Sequence, residues 1–144
     1  MYKKIVIPLD LTDKKSTKSL FTPALEFVKS FGAQVHLVHI IPDFGIQIVE
    51  DYLPRGWKTA QKAKSEKYLK EIVDKYVPEE IRAKVKTYIG HGAIYDQVIS
   101  YSDKIEADLI ITYAVRVELK DYMLGPNASK IVRHSKISVL VIRE

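Results

Sequence analysis

The sequence predicts an α/β protein, a five-stranded parallel sheet with helices packed on both faces. Three observations lead there. Short apolar, β-branched runs recur five times along the chain. Between them lie segments whose apolar residues fall at helical spacing, so strands and helices alternate. Several of the runs, such as "IVI" and "LIIT", are apolar at consecutive positions, as expected of strands covered on both sides. Right-handed crossovers between parallel strands then leave few topologies.

In chain order, "KKIVIPL" (Lys3 to Leu9) is the first predicted strand, ended by Asp10 and followed by turn and cap residues. Ser16, Thr17 and Ser19 form a helix-start cluster. Leu20, Ala24, Phe27, Val28 and Phe31 recur at helical spacing, and Gly32 supplies the stop. "AQVHLVHII" (Ala33 to Ile41) is the second strand, ended by Pro42. Pro42 to Gly56 is the longest irregular segment. Leu69, Ile72, Val73 and Tyr76 mark one face of a long lysine-rich helix that stops at Pro78. "KVKTYIG" (Lys84 to Gly90) is the third strand, and a helix carrying Ile94, Val98 and Tyr101 follows. "ADLIITY" is the fourth strand. A loop of about a dozen residues then leads to "NASKIVRHS", a helix with Ala128, Ile131, Val132 and Ser135 on one side and Arg133 and His134 complementing its C-terminal dipole. "ISVLVIR" (Ile137 to Arg143) is the fifth strand.

At 144 residues the chain has the size of one domain, and its 47% hydrophobic and 28% charged residues are those of a globular protein. There is no cysteine, which excludes disulfides, thiol catalysis and cysteine metal sites. The first strand begins at Lys3, leaving no room for a signal peptide, and no apolar run is long enough to span a membrane. A cytoplasmic location is expected. The net charge of +5 makes an anionic partner conceivable, but the lysines are spread over the chain.

Residues that could carry chemistry are few. His36 and His39 sit among apolar residues on the second strand and are expected to share one face, as satisfied core histidines rather than as a metal pair. His91, in "GHG", reads as a loop residue. No nucleophile elbow, Walker loop or metalloprotease pattern is present, so neither a catalytic nor a metal site is predicted. Between Lys58 and Glu71, five lysines stand against two glutamates. Lys62, Glu66 and Lys70 lie one turn apart, the pattern of a solvated, salt-bridged face, and nucleic-acid binding is not expected.

Four stretches carry a resemblance. "KKIVIPLD", "VHLVHII", "GHGAIYDQVISYSDKIEADLIIT" and "LGPNASKIVRHSKISVLVIRE" together resemble the universal stress protein family, in order and with matching lengths over nearly the whole chain. The resemblance implies a single domain over 1–144, doubly wound and Rossmann-like, with strand order 3-2-1-4-5. Asp10 and the loop after Thr112 would then flank one crevice where strand order reverses. It implies a homodimer formed through the last strand, Ile137 to Arg143, which agrees with the liability of an apolar edge strand. It implies a role in the stress response through binding, to a nucleotide or a protein partner, with slow ATP hydrolysis as an enzymatic alternative.

The resemblance also implies an adenine-nucleotide site, for ATP or AMP. Pro8, Leu9 and Asp10 match the family's acidic nucleoside corner, and Ile40 matches a position whose backbone faces the adenine. ATP-binding members carry glycine, two residues, glycine, nine residues, glycine, then serine or threonine, because glycine lets backbone approach phosphate closely. With Gly125 as the third glycine, the first falls on Thr112, the second on Val115 and the hydroxyl on Pro126, with Asn127 next. A one-residue slip places Tyr113 and Arg116 there instead. Two glycines and the hydroxyl are replaced, and Pro126 removes a backbone donor. Triphosphate binding in the usual manner is therefore not expected, while adenosine or AMP would still fit. Arg116, Lys120, Lys130, Asn127 and Ser129 could hold a nucleotide in a changed pose.

Overall fold

The computed structural model describes residues 1–11, 14–42, 54–117, 121–123 and 126–143. Among these, seven strands and five helices follow one another: β1 (Lys4–Pro8), α1 (Lys14–Phe31), β2 (Gln34–Ile41), α2 (Trp57–Tyr76), α3 (Glu79–Arg82), β3 (Val85–His91), α4 (Ile94–Lys104), β4 (Leu109–Tyr113), β5 (Val115–Val117), β6 (Asp121–Met123), α5 (Pro126–His134) and β7 (Ser138–Ile142). Five strands form one sheet in the order β3-β2-β1-β4-β7, every neighbouring pair parallel. This is the predicted 3-2-1-4-5 order, with β7 as the fifth main strand.

Strand alternation sorts the apolar side chains into two cores. Ile5, Ile7, Leu9, Val35, Leu37, Leu109 and Ile111 share one core with Leu20, Phe21, Ala24 and Val28 of α1 and Leu69 and Ile72 of α2. Val6, Val38, Ile40 and Ile110 lie in the other with Val98 of α4 and Ile131 of α5. Successive strand residues point to opposite faces, so consecutive apolar residues fill both layers at once.

The element ends have local causes. Gly32 stops α1 with φ of 60°, a conformation that costs a residue without a Cβ little. Arg82 donates from Nη2 to the Asp74 carbonyl and from Nε to the Val77 carbonyl, closing the end of α2 through the short α3. Asp108 accepts the backbone N–H groups of Lys3 and Lys4 at 2.8 and 3.1 Å, which ties the start of β1 to the start of β4.

Three details depart from the sequence reading. Helix α1 begins at Lys14, so Thr17 lies inside its first turns rather than ahead of them, and its hydroxyl donates to the Asp10 carbonyl at 3.3 Å. Val132 is 44% exposed, although it was expected on the buried side of the last helix. Ala128 and Ile131 form the buried stripe of that nine-residue helix, and Val132 lies about 100° further round, past the cover that α4 provides. The connection after β4 is not plain loop. Val115–Val117 and Asp121–Met123 pair as an antiparallel ribbon, with Val115 opposite Met123 and Arg116 opposite Tyr122. Most of the Pro42 to Gly56 segment lies outside the described residues.

Candidate functional site

The carboxyl ends of β1, β2 and β4 lie side by side, with β1 in the centre. Chain direction reverses its lateral progress here, β2 and β3 building outward on one side of β1 and β4 and β7 on the other. Crevices at such switch points are where doubly wound sheets hold ligands. Pro8, Leu9 and Asp10 leave the end of β1, Ile40 lies next to last in β2, and Thr112 lies next to last in β4.

Hydrogen-bond directions show why the crevice opens. In β1 the odd residues face β2, since the Lys3 carbonyl accepts from Gln34 and Leu9 donates to Val38. The even residues therefore face β4. That ladder ends at Val6 opposite Ile110. Its next rung would be donated from position 8, where proline has no N–H. Pro8 thus releases β1 from β4 at the mouth of the crevice.

The other side of β1 ends differently. Its ladder with β2 stops at Pro8 opposite Val38, and Leu9 adds one bond to the Val38 carbonyl at 2.8 Å. The following rung would run from the Ile40 N–H to the Leu9 carbonyl. Instead, that carbonyl accepts a hydrogen bond from Nδ1 of His39 at 2.9 Å. Odd residues of β2 serve β3, as Val35 bonding to Lys84 and Gly92 bonding to Ile41 show. The N–H and C=O of Ile40 accordingly point toward β1 and past its end. Among the described residues neither has a hydrogen-bond partner, although Ile40 is only 3% exposed. A buried backbone pair of this kind is costly to leave without a partner, and it offers one donor beside one acceptor.

Ile40 is held firmly from its other side. Gly90 lies opposite it, and a Cβ at that glycine would come within 2.9 Å of the Ile40 Cδ1 and 3.1 Å of the Tyr88 Cε1. Glycine at this position therefore spares the tip of the Ile40 side chain from having to shift. Asp10 is exposed at the crevice, and its carbonyl binds the Thr17 hydroxyl.

On the side of β4, the residues at the family's glycine positions lie in strands. Thr112 is buried at 6% exposure, paired with Val141 of β7. Val115, the position of the second family glycine, opens the ribbon opposite Met123. A phosphate loop needs backbone N–H groups turned toward one point, whereas an antiparallel ladder spends part of them on its own strands. Pro126 is the first residue of α5, where proline is well tolerated, and the half-buried Asn127 follows it. Gly125 and Lys120 lie outside the described residues. Of the alternative cations, Lys130 sits with Nζ 4.8 Å from the Tyr95 ring centroid, on the α4–α5 surface.

His36 and His39 do not share a face. Three residues apart on a strand of period two, they point to opposite sides. His36 is buried and contacts the Tyr101 hydroxyl through Nδ1 at 2.8 Å and Gln34 Oε1 through Nε2 at 3.0 Å. Gln34 Oε1 can only accept, so Nε2 carries the proton and Nδ1 accepts from Tyr101. Burial pushes the His36 pKa below its ordinary 6.5, and the positive charges of Lys86 and Lys4 push the same way. Tyr101 in turn stacks on Tyr88 at 4.1 Å, and burial raises its phenol pKa, with Tyr88 adding to the effect. His39, read from the sequence as a satisfied core histidine, is half-buried and satisfied by the Leu9 carbonyl. Its place beside the last rung of two ladders is visible only once strand order is known.

Among the described residues no group of three or more His, Asp or Glu side chains could hold a metal ion, and no helix is long and apolar enough to cross a membrane.

Comparison with known proteins agrees with this architecture. Universal stress protein G of Salmonella typhimurium is 26% identical over 145 residues, covering 99% of this chain and 100% of that protein. Two solved structures share the fold. A universal stress protein in complex with cAMP superposes with a TM-score of 0.65 at 19% identity, covering 99% of this chain and 97% of that one. The universal stress protein from Archaeoglobus fulgidus in complex with dAMP superposes with a TM-score of 0.61 at 19% identity, covering 98% of each. The family model described as "Universal stress protein family" matches residues 1–143. With its strand order, its crevice and this match over the whole length, the chain belongs to the universal stress protein family.

Proposed function

We propose that this chain is a cytoplasmic stress-response protein that works by binding, as a homodimer, and that its crevice takes adenosine or AMP rather than a triphosphate. The observation that carries the reading is the open backbone edge of Ile40. Its N–H and C=O point into the crevice beside Asp10. Adenine presents the complementary pair on one edge, N1 as acceptor and the N6 amino group as donor. Asp10 is placed to accept from ribose hydroxyls. The complexes of structural relatives with cAMP and dAMP support a monophosphate of this class. Against a triphosphate stand Thr112 and Val115 at the glycine positions and the paired ribbon where a phosphate loop would need free N–H groups.

The dimer would form through β7. This strand lies at the sheet's end, and Val139, Leu140, Val141 and Ile142 are each only half-buried. Such an apolar edge favours pairing with its own copy across a two-fold axis. Among the described residues no group of three or more His, Asp or Glu could hold a metal, and binding rather than turnover is the chemistry proposed.

Thermal unfolding with added nucleotide tests the reading. AMP at about 100 times its Kd should stabilise the fold by about 2.7 kcal/mol, a midpoint rise of several degrees. ATP with magnesium at the same concentration should give a smaller rise, and Asp10→Ala should remove most of the AMP effect. No rise with adenosine, AMP or ATP would refute it. Release of phosphate from ATP that disappears in Asp10→Ala would instead establish a slow hydrolase.

A further inference from the structure

The geometry at the end of β1 assigns a role to His39: we infer that it is a positioning residue that holds the Leu9 carbonyl away from Ile40 and so keeps the Ile40 N–H open for a ligand. The inference rests on the nucleoside reading for its ligand, but its structural half stands independently.

The alternation of β2 makes the Ile40 N–H the natural donor to the Leu9 carbonyl. The preceding bonds, from Gln34 to Lys3 and from Leu9 to Val38, set the register, and the β1–β2 ladder would gain its next rung there. That rung is not made, and the Leu9 carbonyl is turned to a side-chain donor instead. His39 Nδ1 reaches the same carbonyl at 2.9 Å. A carbonyl can only accept, so Nδ1 carries the proton, and the tautomer is fixed by this bond. The ladder therefore stops one rung early, next to the place where Pro8 stops the ladder to β4. One side chain and one imino acid free both flanks of β1 within two residues.

The arrangement is unusual in what it leaves behind. A buried backbone N–H is nearly always paired. Here a side chain donates to the last carbonyl of a parallel ladder, and among the described residues the main-chain donor next in register has no partner. Simple burial of His39 would need only some acceptor. Use of this one acceptor determines whether Ile40 presents a hydrogen-bonding edge or a closed sheet margin.

Replacement of His39 by Leu or Phe removes the competing donor. The Ile40 N–H should then close onto the Leu9 carbonyl. In isotope-labelled protein this would appear as a through-hydrogen-bond coupling between the Ile40 nitrogen and the Leu9 carbonyl carbon, with amide exchange at Ile40 slowed at least tenfold. The same variants should bind AMP at least tenfold more weakly. In His39→Asn, the amide nitrogen can take the place of Nδ1, so both the open Ile40 amide and AMP binding should return toward wild type. Having two apolar replacements guards against one that fails to fold. If Ile40 exchange and coupling are unchanged in His39→Leu and His39→Phe, the inference is overturned. If Ile40 closes as expected but the wild-type protein binds no AMP, His39 keeps its positioning role and the nucleoside reading fails instead.

Discussion

Two ladder endings at single residues make the crevice. Pro8 has no N–H to give β4, and His39 takes from Leu9 the carbonyl that Ile40 would otherwise use. On the other side of Ile40, a third residue, Gly90, spares the tip of its side chain from having to shift. At the far end of the same strand, His36 performs a different task. It is neutral and fully bonded between Tyr101 and Gln34, and its pKa lies below 6.5 through burial and the nearby charges of Lys86 and Lys4. In the unfolded chain the imidazole gains its proton at higher pH than in the folded protein. Its contribution to stability is therefore full above pH 6.5 and is lost as the pH falls through the lowered folded pKa. Urea unfolding should show stability declining below pH 6.5, and His36→Gln should flatten that decline. An equally steep decline in the variant would place its origin elsewhere. At this scale the sequence was only partly legible. Asp10 stood out by its place after a strand, and Pro8 only through the family resemblance. The histidines did not, because assigning faces needs strict two-residue alternation and assigning roles needs the neighbouring strand.

At the level of elements, periodicity located every main-sheet strand within a residue or two, because alternation between short apolar runs and helical stripes is a strong signal. The ribbon β5–β6 escaped it. Three-residue strands are too short to show a period, and residues 115–117 and 121–123 sit in a stretch that otherwise reads as connection. The edge strand was readable, and the structure adds which atoms face outward. Ala114 donates to the Ile142 carbonyl, so the even residues of β7 serve β4, and the backbone of Val139 and Val141 faces the free edge. Val141→Pro removes a donor on that free side alone, where proline is compatible with a strand. If the proposed dimer forms through this edge, sedimentation should show wild type as a dimer and Val141→Pro as a monomer, while unfolding remains cooperative. A Val141→Pro dimer as tight as wild type would rule out pairing through this edge.

For the whole molecule, the doubly wound order puts the open crevice at the carboxyl ends of β1, β2 and β4, where folds of this kind hold ligands. Among the described residues the Ile40 backbone edge has no partner, while Thr112 and Val115 stand at the two glycine positions and residues 115–117 and 121–123 form a paired ribbon. Sequence counting found the replaced glycines, and only the strand geometry reveals the ribbon and the Ile40 edge. The most direct measurement is an AMP titration of nitrogen-15-labelled protein followed by amide resonances. Saturable shifts should concentrate at Ile40, Leu9 and Asp10, with the Ile40 amide moving downfield as it gains an acceptor. Saturable binding that leaves Ile40 unmoved, or no binding at millimolar AMP, would contradict a nucleoside crevice at the end of β1.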